Sequence, residues 1–198
     1  TATESQWGAG ATVRQHAGFL AFRMPFGAGL FGLRDSYAVQ DMETAMLPSG
    51  IGVLTYTSRP ATAADIPQVL AIWNPVIRDT TIIFHNEERT ETTVKAIWAE
   101  RRKAGHEFFV ADEAGTILGF ATYAQFRGGN GYTHALEHSI ILHPSANGRG
   151  IGRRLMEAVE DHARAAGGHT LFAGVSGENE AGLAFHKALG FDHVGRFP

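Results

Sequence analysis

The pattern of apolar and polar residues predicts a domain that mixes strands and helices from about residue 51 onward. Residues 53–57 are rich in β-branched and aromatic side chains, which is typical of a strand. Residues 62–73 and 92–104 then carry apolar side chains three and four positions apart, as amphipathic helices do. The first of these helices begins with Thr62 and Asp65, a spacing that resembles a capping box.

The second half of the chain continues the alternation. Residues 107–111 and 116–123 flank a turn at Gly115 and predict an antiparallel hairpin, and residues 138–143 predict a further strand. The elements predicted after it are a helix from Ile151, a strand over 170–175, a short helix over 179–189 and a strand over 190–194. The predicted order is one strand, two helices, three antiparallel strands, and then helix, strand, helix, strand.

Residues 1–50 differ from the rest. Residues 18–32 are apolar, but they follow neither the period of a strand nor that of a helix for long. We therefore expect two parts, an atypical and poorly specified N-terminal extension over 1–50 and a folded domain over 51–198.

Composition narrows the function classes. The chain has 198 residues, a formal net charge of −3 and no cysteine. The chain lacks the excess of basic residues that a general nucleic-acid binder has, and no apolar run is long enough to span a membrane. We therefore expect it to bind neither nucleic acid nor a membrane. The absence of cysteine excludes a thiolate nucleophile and cysteine-ligated metals, and it is compatible with the cytoplasmic location that we expect.

A glycine-rich loop stands between a predicted strand and a predicted helix. Gly148, Gly150 and Gly152 alternate there with other residues, and Arg149 and Arg153 lie beside them. Glycines let backbone N–H groups approach an anion, and the helix dipole favours negative charge, so the loop predicts a phosphate or pyrophosphate site. A tight structural turn is the alternative. The P-loop and dinucleotide patterns do not fit, because the lysine of the first and the third glycine of the second are missing.

The same loop, Asn147-Gly-Arg-Gly-Ile-Gly152, resembles the acyl-CoA signature of the GNAT family of N-acetyltransferases. Asn147 stands where that signature has Gln or Arg. Between residues 58 and 198, further segments resemble the phosphinothricin and methionine sulfoximine acetyltransferase branch of this family: 59–67, 72–74, 136–144, 174–179 and 185–191.

The resemblance implies an α/β fold with a mixed, mostly antiparallel central sheet, flanking helices and a splay at the acetyl-CoA site. It also implies an enzyme that transfers the acetyl group of acetyl-CoA directly to the primary amine of a small amino-acid-like substrate. No metal is expected. The resemblance also leaves open that the protein forms a homodimer.

The family pattern assigns site residues by position. It implies Glu137 as the base that deprotonates the attacking amine and His186 as the acid that protonates the leaving thiolate. The implied acetyl-CoA contacts are Ile140, Ile141, Leu142, Gly148, Arg149, Gly150, Ile151, Gly152, Arg153 and Asn179. Each has a structural alternative, since a strand carboxylate, a helix-surface histidine, core side chains and a helix N-cap would look the same.

The acceptor pocket is less readable. The resemblance suggests five pocket residues: Phe84, Arg127, Asn130, Gly131 and Tyr132. Relatives usually carry an arginine shortly before the glutamate, after an aromatic residue, where this chain has Tyr132 and Thr133. That departure puts the grip on a substrate carboxylate, and with it phosphinothricin-type specificity, in question.

Two other functions are weighed. His134, Glu137 and His138 spell the inverted zinc-protease motif, but that motif needs a helix, and here a predicted strand follows it directly. The other function considered is that of an acyl-CoA-binding module that has lost catalysis.

The resemblance also implies one more strand after the segment that matches residues 195–198, placed against 170–175 or 190–194. Residues 1–50 or a partner chain would fill that edge, or the enzyme lacks the strand. We expect the strand to be missing, because residues 1–50 show no clean strand period. Weak activity and association through an open sheet edge would follow.

Overall fold

The structure is a computed structural model that describes residues 19–26, 46–47, 50–51 and 56–197. The strands are β1 (Phe19–Pro25), β2 (Met46–Leu47), β3 (Gly50–Ile51), β4 (Thr57–Pro60), β5 (Phe108–Glu113), β6 (Thr116–Gln125), β7 (Ala135–Leu142), β8 (Thr170–Ser176) and β9 (Asp192–Phe197). The helices are α1 (Ile66–Asp79), α2 (Glu91–Lys103), α3 (Ile151–Ala165) and α4 (Glu180–Ala188). No helix in these ranges is both long and apolar enough to cross a membrane.

Seven strands form one sheet in the order β4-β5-β6-β7-β8-β1-β9, and β2 pairs with β3 separately. All neighbours in the large sheet are antiparallel except β7 and β8. A parallel pair needs a crossover connection, which α3 supplies. The expected α/β fold with a mostly antiparallel sheet is confirmed.

The β7–β8 pairing covers only the first half of β7. Ala135 lies opposite Thr170, and the ladder ends where His138 lies opposite Ala173. On its other edge, β7 stays paired with β6 up to Leu142. The sheet is therefore splayed beyond His138, as the resemblance implies.

Helices cover both faces of the sheet. On one face, Val69 and Trp73 of α1 and Val94 of α2 pack against Phe108 and Phe120. On the other, α3 buries an apolar stripe that belongs to the second core cluster: Ile151, Leu155, Met156, Val159 and Ala163. The strong helical period predicted after the glycine loop is thus the face that holds α3 on the sheet.

The strand β1 corrects one expectation. Residues Phe19–Pro25, which we expected to form no regular element, run antiparallel between β8 and β9. The sheet position beside Thr170–Ser176, which we expected to lack a strand, is therefore occupied.

The rest of residues 1–50, apart from the short β2–β3 ladder, lies outside the described residues, so the boundary near residue 50 stays a prediction. Most of the strand predicted over 53–57 lies outside them as well, and β4 begins at Thr57.

Candidate functional site

A cavity of about 1060 Å³ occupies the gap that opens between β7 and β8. Residues 139–142 of β7 and 173–175 of β8 form two of its walls. Because no described strand pairs with β7 on this side after His138, its backbone groups there are available to a bound molecule. The predicted contacts Ile140, Ile141 and Leu142 all lie on this wall.

The glycine loop closes one end of the cavity. Gly148, Gly150, Gly152 and Arg153 line it. Gly150 precedes α3 in the left-handed conformation, with φ 78°, and as the N-cap residue it has no side chain that could cap this helix. The N–H groups of the first turn of an α-helix have no acceptor inside the helix, so those of α3 remain for an anion.

Gly152 explains how closely the loop packs. A Cβ built at this position would lie 3.0 Å from a ring carbon of Phe185 and 3.2 Å from a methyl carbon of Leu142. A larger residue would push α3 away from α4 and β7. Glycine here serves packing as well as access to the cavity.

Two residues of the predicted cofactor set do not line the cavity. The Arg149 guanidinium turns back to an ion pair with Glu113 of β5. The Ile151 side chain is fully buried in the core. For these two side chains the structure favours the structural alternative, although the N–H group of Ile151 still belongs to the uncapped turn.

Asn179 has both of the roles considered from the sequence. Its Oδ1 accepts a hydrogen bond from the Gly182 N–H group at 2.9 Å, which caps α4. The same residue lines the cavity. The two roles are compatible, because the amide nitrogen is not used by the cap.

Glu137 lies on β7 just before the splay and lines the cavity. Burial raises the pKa of its carboxyl group, and the positive charges of Arg101 and Arg127 oppose that rise. A carboxylate with a raised pKa is a better proton acceptor than an exposed one.

His186 is buried and bonds through both ring nitrogens. Its Nδ1 lies 2.7 Å from the carbonyl oxygen of Gly182, and its Nε2 lies 3.0 Å from Nε2 of His138. The Nδ1 of His138 lies 3.0 Å from the carbonyl oxygen of Phe172. Burial lowers the pKa of both imidazoles. The sequence analysis did not find this pair, because its members are 48 positions apart.

The far end of the cavity, beyond Glu137, is lined by α1, α2 and the segment that joins them. Phe84 is the one predicted acceptor residue found there. The other four, Arg127, Asn130, Gly131 and Tyr132, do not line the cavity: Arg127 lies over the Phe126 ring, and 130–132 form an exposed turn. Sequence reasoning missed three charged or ionisable residues of this end: His85, Arg89 and Arg101.

The protease motif has no metal-binding geometry. The imidazole of His134 bonds to the carbonyl oxygen of Gly167, while His138 is buried against His186. The described part of the chain contains no group of three potential metal ligands.

Comparisons with known proteins agree with this geometry. Residues 73–191 match the model of the acetyltransferase (GNAT) family. The L-amino acid N-acyltransferase MnaT of Escherichia coli is 33% identical over 141 residues, which cover 71% of this chain and 81% of that protein. An L-methionine sulfoximine/L-methionine sulfone acetyltransferase of Pseudomonas paraeruginosa is 35% identical over 142 residues, covering 71% and 82%.

Among solved structures, a phosphinothricin acetyltransferase from Sinorhizobium meliloti in complex with acetyl-CoA superimposes with a TM-score of 0.67. It is 29% identical, and the match covers 71% of this chain and 76% of that one.

Proposed function

The chain belongs to the acetyltransferase (GNAT) family, and on this basis we propose that it acetylates the primary amine of a small amino-acid-like acceptor. The relatives named for L-amino acids, methionine sulfoximine and phosphinothricin support this acceptor class. The observation that carries the proposal is the end of the β7–β8 ladder at His138. It opens the cavity directly beside the carboxylate of Glu137.

The residues present fit acetyl-CoA, which supplies the acetyl group as a thioester. The uncapped first turn of α3 and Arg153 would hold the pyrophosphate. The unpaired edge over 139–142 and the amide of Asn179 would hold the pantetheine arm. The side chains of Arg149 and Ile151 take no part in this arrangement.

Glu137 is proposed as the base. An amino-acid amine arrives as an ammonium ion, and only the neutral amine attacks a carbonyl carbon. Glu137 takes a proton, directly or through water. The amine nitrogen then forms the amide bond while the C–S bond breaks and the thiolate leaves. A buried carboxylate performs this transfer better because its pKa lies closer to that of the ammonium group.

The buried histidines are proposed to hold the proton that the thiolate needs. A carbonyl oxygen only accepts, so the Nδ1 atoms of His138 and His186 each carry a hydrogen. Two neutral rings would then point lone pairs at each other across the 3.0 Å between the Nε2 atoms. One shared proton removes that repulsion. Burial and the neighbouring ring lower the pKa of His138, and burial lowers that of His186, so the pair binds the shared proton only weakly and gives it up readily to the thiolate.

The test is a panel of L-amino acids, methionine sulfoximine, phosphinothricin and simple amines, with release of free CoA as the signal. The protein has no cysteine, so a thiol reagent reports CoA without background from the chain. We expect release with amino-acid-type acceptors.

The Glu137→Gln variant is the matched control, because it keeps the shape of the side chain and removes the base. It should bind acetyl-CoA normally and turn over slowly. Tight acetyl-CoA binding by the unaltered chain, with no release for any acceptor, would identify a binding module that lacks catalysis.

A further inference from the structure

Two arginines at the acceptor end of the cavity form no ion pair with any carboxylate in the described part of the chain. Six other arginines pair with carboxylates: Arg59, Arg78, Arg102, Arg149, Arg154 and Arg164. Arg89 and Arg101 have no carboxylate of the described residues within 4.0 Å, although both line the cavity. The Nε atom of each is buried without a hydrogen-bond partner.

Burial makes the charged form of these two guanidinium groups less favourable than it is in water. Burial lowers the pKa of both guanidinium groups, and the positive charge of Arg89 lowers that of Arg101 further. The carboxylates of Glu100 and Glu137 oppose the fall of the Arg101 pKa, although neither forms an ion pair with it. Both guanidinium groups are half-buried, and the Nε atom of each is fully buried without a partner, so a bound anion at this end of the cavity would offset the cost of holding two positive charges there.

Arg89 is also held in place. The side-chain amide of Asn74 bonds to both the N–H and the carbonyl group of Arg89, each at 2.9 Å. The guanidinium lies over the ring of Trp73, 4.4 Å from its centroid. Trp73 and Asn74 thus fix the residue before α2 begins, which reduces the entropy lost when the guanidinium binds a ligand.

We propose that Arg89 and Arg101 bind the carboxylate of the acceptor and so direct its amino group to Glu137. The inference rests on the proposed function and names the group that selects its substrates. Guanidinium groups match carboxylates through paired hydrogen bonds. Both cations line the same cavity as the proposed base, as an α-amino acid requires, because its amine and carboxylate share one carbon.

The experiment compares, as acceptors, an L-amino acid that the enzyme acetylates and the carboxamide of the same amino acid, which has the same shape but no negative charge. We expect the unaltered enzyme to prefer the acid by at least about tenfold in kcat/KM. In Arg89→Met and Arg101→Met this preference should fall by about tenfold or more, through a higher KM for the acid, while the KM for acetyl-CoA stays the same.

Arg102→Met is the matched control. Arg102 neighbours Arg101 on α2, but it pairs with Glu107 and does not line the cavity, so the preference should persist. Thermal unfolding provides a second measurement. Removing a half-buried charge that has no ion-pair partner should leave Tm unchanged or raise it, whereas loss of a structural contact would lower it.

The outcomes separate the two proposals. If the enzyme acetylates amino acids and their amides equally well, or if both Met variants keep the preference, the carboxylate site is refuted and the acetyltransferase function stands. If no amine is acetylated, the proposed function itself fails.

Discussion

Replacement of Gly150 by alanine tests the phosphate loop most directly. Gly150 has φ 78°, and a Cβ built there would meet only the Tyr56 hydroxyl, at 3.9 Å. The new methyl group would therefore project into the open cavity. The left-handed conformation costs an alanine about 1–2 kcal/mol.

This strain lowers either the free energy of unfolding or the affinity for acetyl-CoA. If the loop keeps its conformation, the free energy of unfolding falls by about 1–2 kcal/mol, and the methyl group occupies space needed by the pyrophosphate. If the loop relaxes, acetyl-CoA must restore the left-handed conformation on binding, which weakens the Kd by about 5- to 30-fold. Either route lowers affinity.

Gly105→Ala is the control, because Gly105 also has φ 78° and open space around its Cβ position, but lies after α2 and outside the cavity lining. Its unfolding free energy should fall similarly, with an unchanged Kd for acetyl-CoA. Calorimetric titration and chemical denaturation of both variants measure the two quantities. Equal Kd values for Gly150→Ala and the unaltered protein would refute the assignment of this loop.

Three further predictions concern charged groups. Arg153→Ala should weaken acetyl-CoA binding about tenfold, whereas Arg149→Ala should change it little, because that side chain already has a carboxylate partner; equal losses would contradict this. In the unaltered enzyme the rate should fall as the pH drops through the raised pKa of Glu137, and Glu137→Gln should abolish this fall. Arg101→Met should move the fall to higher pH, because the charge of Arg101 lowers the Glu137 pKa. The ion pair with Arg59 lowers the pKa of Asp65 to about 2. Above about pH 4 this pair should contribute about 2 kcal/mol of stability, which is lost as the pH falls toward 2. Asp65→Asn should remove this pH dependence in acid denaturation.

Local patterns predicted much of the fold. The apolar stripe of α3 and the glycine loop before it are contiguous in sequence, so periodicity and spacing were enough to find them. The resemblance then supplied Glu137 and the splay of the sheet. The apolar stripe and the glycine loop can be found because each lies within one short segment of the sequence.

The acceptor end and the histidine pair were missed for a different reason. Arg89 precedes α2 and Arg101 lies in its last turn, so in the sequence both look like part of a solvated, charged face. Their lack of counter-ions is visible only when the neighbouring elements are in place. His138 and His186 likewise meet only through the packing of α4 on the sheet.

The strand β1 was missed because Arg23 is the only polar residue in it, and one polar residue is too weak an alternation to indicate a strand. Leu20, Phe22 and Met24 point to the core, but Ala21 between them is apolar too, and Pro25 is unusual inside a strand. Alternation of apolar and polar residues is the signal of a half-buried strand, so a strand with a single polar residue is not found by its period. What identifies β1 is its pairing with β8 and β9.

Phe22→Ala tests whether β1 belongs to the sheet. The Phe22 side chain is 6% exposed and lies in the core cluster of α3. Its ring centroid is 6.0 Å from that of His186 and 5.5 Å from that of His193. Truncation of a buried phenylalanine costs about 3–5 kcal/mol, which chemical denaturation would detect. Val194→Ala is the control: Val194 is 47% exposed on β9, and its replacement should change stability by less than about 0.5 kcal/mol.

The same variant links this strand to catalysis. The Phe22 ring is part of the apolar cover that lowers the pKa of His186, so its removal should let water approach the histidine pair. We therefore expect the His186 pKa to rise, which an NMR titration of the imidazole signals would measure. If Phe22→Ala leaves both stability and this titration unchanged, β1 is not part of the core, and the position beside β8 is open as the sequence alone predicted.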